Sequence, residues 1–195
     1  MKAWLPVAVI AAVPAAFGAT REWRFDVSLD GRPIGEHSFV LQERANLREV
    51  TSDASFRVRI LFVEAFRYEH HARESWRGDC LERLEARTVQ NGEQLRVVVP
   101  DDKPPRSDCI QTFAYWNPSI LESSVLLNPQ TGEYVPVKVL ALGRETLGGQ
   151  DTDRYRLLGS GPTPLQIDLW YTPARDWVAL ESRTPQGRLL RYARK

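Results

Sequence analysis

The chain has 195 residues, enough for one domain with a sizeable core, and its 26 Lys and Arg against 25 Asp and Glu leave a net charge of +1. That even mixture excludes the concentrated basic surface that nucleic acid requires and a strongly charged membrane-surface mode. The cysteines are Cys80 and Cys109, in no C-x-x-C spacing.

The chain opens with "MKAWLPVAVIAAVPAAFGA". Lys2 precedes an apolar run from Ala3 to Val13, and Ala16 and Gly18 are the small residues a signal peptidase accepts. Residues 1–19 are read as a secretory signal peptide, cleaved after Gly18 or Ala19. The run is shorter than the ~20 apolar residues that span a bilayer, and prolines interrupt it. The expectation is a periplasmic or secreted protein, not integral to a membrane, with residues 20–195 as a single domain. Export makes a Cys80–Cys109 disulfide the expected state. It would close a loop of about 30 residues, worth roughly 3 to 4 kcal/mol on the chain-entropy model.

From Arg21 onward the period is two. Trp23, Phe25, Val27 and Leu29 alternate with Glu22, Arg24, Asp26 and Ser28, then Asp30-Gly31 reads as a hairpin turn into a strand from Ile34 to Leu41. Further strands are expected over Arg48–Ile60, Phe66–Trp76 and Cys80–Gln90, with Asn91-Gly92 turning into "QLRVVV". "PDDKPPRSDC" is a proline-rich loop. Asn117-Pro118 reads as a cap and first residue of a short helix reaching about Ser123, and "NPQTGE" as a turn. Strands resume over Tyr134–Leu142, Thr152–Leu158, Leu165–Tyr171, Trp177–Arg183 and Leu189–Ala193. The fold expected is all-β, a single antiparallel β-barrel or strongly curved half-barrel of about ten strands with one short helix. An outer-membrane barrel is disfavoured, because Arg and Glu recur on the polar face where a lipid-facing band would stand.

These stretches, "WRFDVSLDGRPIGEHSFVL", "FRYEHHARESWRGDCLERLEARTVQNGE", "FAYWNPSILESSVLLNPQTGE" and "LQIDLWYTPARDWVALE", together resemble a family of bacterial exported proteins catalogued as a domain of unknown function. The resemblance covers nearly the whole mature chain and implies no activity. More distantly, the meander is similar to half-barrel lipoprotein carriers and lipocalin-like proteins, a likeness of architecture, which does not fix function.

The segment "FRYEHHARESW" carries the densest chemistry. On a strand, Phe66, Tyr68, His70, Ala72, Glu74 and Trp76 share one face, expected to look inward, while Arg67, Glu69, His71, Arg73 and Ser75 share a solvated one. His70 and Glu74 then lie on a mostly buried face, with Cα atoms ~13 Å apart at ~3.3 Å per residue. That gap is too wide for a shared metal ion or a tight acid–base dyad. They read either as core polar groups satisfied by neighbours or as groups orienting the polar end of a ligand. Tyr115, Trp116 and Asn117 precede the helix and are expected to cap one end of a barrel. Trp170 and Tyr171 take opposite faces of one strand. The candidate ligand-binding residues are therefore Tyr68, His70, Glu74, Tyr115, Trp116 and Trp170, with Trp116→Ala expected to weaken binding more than stability. No catalytic residue, metal ligand or cofactor site is assigned. The chain has no G-x-S-x-G elbow, no H-E-x-x-H helix and no phosphate-binding glycine loop.

The expected function is binding or carrying of an apolar or amphipathic, lipid-like small molecule in a β-barrel cavity. The alternatives are an envelope-accessory interaction module with a filled barrel, working through edge strands or the loops Pro100–Asp108 and Asn128–Glu133, and an enzyme of unrecognised type.

Overall fold

A computed structural model describes residues 18–60, 63–99, 109–161 and 164–195. The segment read as a signal peptide, apart from Gly18 and Ala19, and the stretch 100–108 expected as a loop lie outside the described residues.

The strands are β1 (Ala19–Leu29), β2 (Arg32–Arg44), β3 (Leu47–Ile60), β4 (Val63–Arg77), β5 (Cys80–Gln90), β6 (Glu93–Val99), β7 (Val125–Leu127), β8 (Tyr134–Leu147), β9 (Gln150–Gly159), β10 (Leu165–Tyr171), β11 (Trp177–Arg183) and β12 (Leu189–Arg194). Alternation writes most of them: β1 buries Trp23, Phe25, Val27 and Leu29 and leaves the residues between them at the surface. Both expected hairpin turns form. Asp30 and Gly31 take φ values of 50° and 76°, and Asn91 and Gly92 take 51° and 91°, the left-handed pairs that match the twist of a two-residue hairpin. The expected helix is a 3-10 turn over Pro118–Glu122, capped by Asn117, whose Oδ1 accepts from the Ser119 amide at 3.2 Å. Two details differ from the sequence expectation. β7 is a three-residue strand, too short for a period to register, and β8 runs on to Leu147 past a bulge between Ala141 and Gly143.

Twelve strands make one antiparallel sheet in the order β6-β5-β4-β3-β2-β1-β12-β11-β10-β9-β8-β7. Two meanders, β1–β6 and β7–β12, join where the first strand pairs the last, with Phe25 opposite Arg194 and Leu29 opposite Leu190. The sheet does not close: β6 and β7 are its edges. Its ends nevertheless approach, since a Cβ on Gly132, in the turn after β7, would stand 3.5 Å from Val97 of β6.

Residues 109–117 cross this opening. The disulfide Cys80–Cys109, with Cα atoms 4.9 Å apart, ties their start to β5. The Leu81 amide donates to the Ile110 carbonyl at 2.8 Å, and on the far side the Leu127 amide of β7 donates to the Gln111 carbonyl at 2.8 Å. The segment is a seam between the two ends of the sheet. It buries Ile110, Thr112, Ala114 and Trp116. Trp116 meets Trp76 edge-on at 5.4 Å and Trp23 at 6.5 Å, as an aromatic cap over one end of the interior.

Candidate functional site

Strand register builds the site. One row across β2–β5 reads His37, Ala54, His70, Thr88. The next reads Phe39, Ser52, Ala72, Ala86, and the next Leu41, Val50, Glu74, Leu84. The middle positions Ser52, Ala54 and Ala72 carry short side chains that do not reach the opposite wall. A cavity of about 240 Å³ remains above this small-residue floor. The seam covers it with Phe113, Ala114, Tyr115 and Trp116, and Leu165 and Ile167 of β10 close it from the other meander.

The polar groups inside are few and mostly held. His37, stacked on Phe39 at 4.1 Å, engages Ser52 through Nε2 at 2.8 Å and the Tyr192 hydroxyl through Nδ1 at 3.3 Å. His70 engages Thr88 Oγ1 through Nδ1 at 2.9 Å, and its Nε2 makes no hydrogen bond among the described residues. Glu74 accepts from the Trp76 indole at 2.9 Å on one oxygen and from the Thr112 hydroxyl at 3.0 Å on the other. Burial removes the water that would stabilise charge on each of these groups. It pushes Glu74 up to about 7, against the pull of its two hydrogen-bond donors. It pushes His37 down to about 3, helped by nearby His70, and His70 down to about 4, helped by His71. Both interior imidazoles are therefore neutral at pH 7. Glu74 is poised between acid and carboxylate.

The structure brings four of the six candidate residues to this cavity: His70, Glu74, Tyr115 and Trp116 line it. Tyr68 lies on the same face of β4, buried and stacked on Phe56 at 5.2 Å, one row beyond the lining residues. Trp170 is corrected. It does not line the cavity and lies on the other face of β10, where its indole donates to Glu145 and the Arg154 guanidinium sits 4.8 Å above its ring. The inward residue of that pair is Tyr171, whose hydroxyl donates to the Tyr115 carbonyl at 2.8 Å. A tryptophan can be buried on an outer face when a long arginine folds over it, and parity alone does not tell which face is the interior.

Sequence reasoning missed His37. Its parity with Phe39 and Leu41 puts it on the apolar face of β2, and that alternation was the available signal. Ser52 and Thr112 were missed for another reason: their roles depend on the cross-strand partner and on the path of the seam, neither written locally. His71 faces solvent and pairs with Asp53 at 2.6 Å. Among the described residues, no group of three His, Cys, Asp or Glu side chains is placed to hold a metal ion. No helix among them is long and apolar enough to cross a membrane.

An open antiparallel sheet curled around a partly hollow, seam-covered interior defines a β-barrel-like protein. Residues 25–195 match the family described as a domain of unknown function, DUF6134, and the chain belongs to that family. Comparison with curated proteins gives no match. Among solved structures, the chain is similar to the beta-barrel-like protein of domain of unknown function DUF1849 from Brucella abortus. The TM-score is 0.63 at 8% identity, covering 89% of this chain and 94% of that one. At this identity the similarity concerns the fold alone.

Proposed function

We propose that this is an exported protein, periplasmic or secreted, whose residues 20–195 form one domain that binds or carries a small amphipathic molecule. The observation that carries the reading is the cavity: aromatic and aliphatic walls with polar side chains set among them, His70 and Glu74 with His37, Ser52, Asn128, Gln130 and Ser182. That is the make-up of a small-molecule pocket. The size narrows the ligand. A cavity of about 240 Å³ takes a head group or short chain inside, and a longer lipid tail would protrude. Binding would be driven by apolar surface leaving water at roughly 25 cal/mol per Å². The leader-like segment 1–19 and the Cys80–Cys109 bridge support export.

A second reading, an envelope interaction module, draws on the sheet edge. β6 exposes Leu95 and Val98, at 47% and 53%, on a strand that among the described residues has one side unpaired. Native mass spectrometry of the protein purified gently from a periplasm separates the two. A bound mass that leaves on solvent extraction supports the carrier. A clean apo mass with no uptake from a lipid extract overturns it in favour of the module.

A further inference from the structure

Asp168, which is buried, and Asp176, which is half-buried, both have arginine partners. Asp168 is held by Arg156 at 2.6 Å and by Arg154, and Asp176 by Arg21 at 2.8 Å and by Arg194. Glu74 is as deeply buried as Asp168, at 8% and 5% exposure, yet among the described residues it has no Lys or Arg partner. Its two donors are neutral, one on each oxygen. A carboxylate offers about four acceptor positions, so two remain. A buried carboxylate without a countercharge is costly, and removing that cost is what a cationic ligand would do.

The lining agrees. Among the described residues that line it there is no Lys or Arg, and Glu74 is the one carboxylate. Its two histidines are the neutral imidazoles described above. None of these described groups offers an anion a positive charge at pH 7. Trp116, Tyr115 and Phe39 present ring surfaces of the kind that attract an ammonium group.

We infer that the cavity takes an amphipathic amine, its ammonium paired with Glu74 and its apolar body against Phe39, Phe113 and Trp116. This rests on the ligand-binding reading above and narrows it from amphiphiles in general to cationic ones. Fatty acids and phosphate-headed lipids are disfavoured by the same charge. The groups facing Glu74 from adjoining elements are Val50 on β3, Leu84 on β5 and Thr112 of the seam. The other titratable groups around the cavity are His37 on β2, His70 on β4 and Tyr115 of the seam. Arg48 of β3 stacks over Trp116 at 5.2 Å but is engaged by Asp79 and the Gly78 carbonyl. Glu74 is thus the group through which pH would act on an amine.

The test is a matched eight-carbon series, octylamine, octanol and octanoate, titrated into the purified protein at about pH 7 and read by tryptophan fluorescence. Octylamine should bind about tenfold more tightly than octanol, the step expected for one charge-assisted hydrogen bond in a shielded site, with octanoate weakest. Glu74→Gln should remove the amine's advantage and leave octanol within about twofold. A readout on the unaltered protein stands beside that variant. Octylamine affinity should rise about tenfold between about pH 5.5 and 8.5 as Glu74 ionises, while octanol stays flat. Octanol or octanoate binding as tightly as octylamine overturns the amine assignment and leaves the pocket reading intact. So does an amine advantage indifferent to both Glu74→Gln and pH. If none of the three binds, the pocket reading falls and takes this inference with it.

Discussion

The interior has two regions made by the same alternation, one packed and one hollow. At the capped end Trp23, Trp76 and Trp177 are almost fully excluded from solvent and Trp116 lies between two of them. A few residues away, Ser52, Ala54 and Ala72 stand at equivalent inward positions, and the space above them is open. Inward aromatics do not make a cavity. Short residues in adjacent cross-strand rows do, when the opposing segment stops short of them. The seam supplies that segment, and its Trp116 fills one region while its Phe113 and Tyr115 only roof the other.

The largest expected effect breaks the packed region. Trp116→Ala should cost about 3–5 kcal/mol in denaturant unfolding, as for a buried aromatic whose neighbours cannot collapse into the gap. The sequence suggested the opposite ranking, with binding more affected than stability. The contacts to Trp23, Trp76 and Arg48 reverse it, because the ring is part of the core as well as of the cavity wall. A loss below about 1 kcal/mol would mean the end cap is looser than its geometry.

The hollow region carries the pH dependence. His37 and His70 lie below their ordinary 6.5, at about 3 and about 4, so the unfolded chain binds protons that the folded chain refuses. Their contribution to stability is lost as pH falls below about 6.5. Glu74 lies above its ordinary 4.5, at about 7, so the folded chain holds a proton that the unfolded chain has lost. Its contribution is present below about 4.5 and is lost as pH rises to about 7. Between about pH 5 and 7 the two histidines outweigh the one carboxyl, and near pH 7 the opposing proton differences cancel. Stability without ligand should climb from about pH 5, level off near pH 7 and stay nearly flat to about 8. Glu74→Gln should steepen the climb, because it removes the opposing term. Guanidinium midpoints at about pH 5, 6, 7 and 8 measure both curves.

A smaller effect separates the regions by adding bulk. Ala72→Leu places three carbons where the floor is lowest. Overpacking a filled core costs about 1–3 kcal/mol, whereas here the added carbons should enter the cavity at under about 1 kcal/mol. The same change should abolish uptake of an eight-carbon ligand, measured by fluorescence titration. A large loss of stability would show that the space is not available.

What the sequence disclosed follows from what is local. Strand parity placed Tyr68, His70, Ala72, Glu74 and Trp76 inward and His71 outward, because period two is set by the pleat itself. The turns at Asp30-Gly31 and Asn91-Gly92 were legible because positive φ restricts residue choice. The cavity was not legible. It depends on Ser52 and Ala54 of β3 meeting Ala72 of β4 across the sheet, and on a seam that returns from the disulfide to β7. Trp170 was misplaced because side chains from neighbouring strands, Arg154 over its ring and Glu145 on its indole, cover it on the outer face of β10. Burial of Trp170 under Arg154 looks, in sequence, the same as burial inside.

The smallest expected effect is the sharpest test of inside against outside, because it compares two adjacent histidines. His70 is buried, bonded to Thr88 and faces the cavity. His71 is partly exposed and pairs with Asp53 at 2.6 Å. An exposed pair is screened by water and contributes about 0–1 kcal/mol. His71→Gln should therefore leave the unfolding midpoint nearly unchanged and ligand uptake intact. His70→Gln strands the Thr88 hydroxyl or must find it a new partner inside, at about 1–3 kcal/mol, and should also change ligand affinity. Equal effects from the two substitutions would mean that the pleat does not divide interior from surface at β4, and the cavity as described would lose its wall. Unequal effects, with only His70 touching binding, would put the interior face of this strand in contact with the ligand.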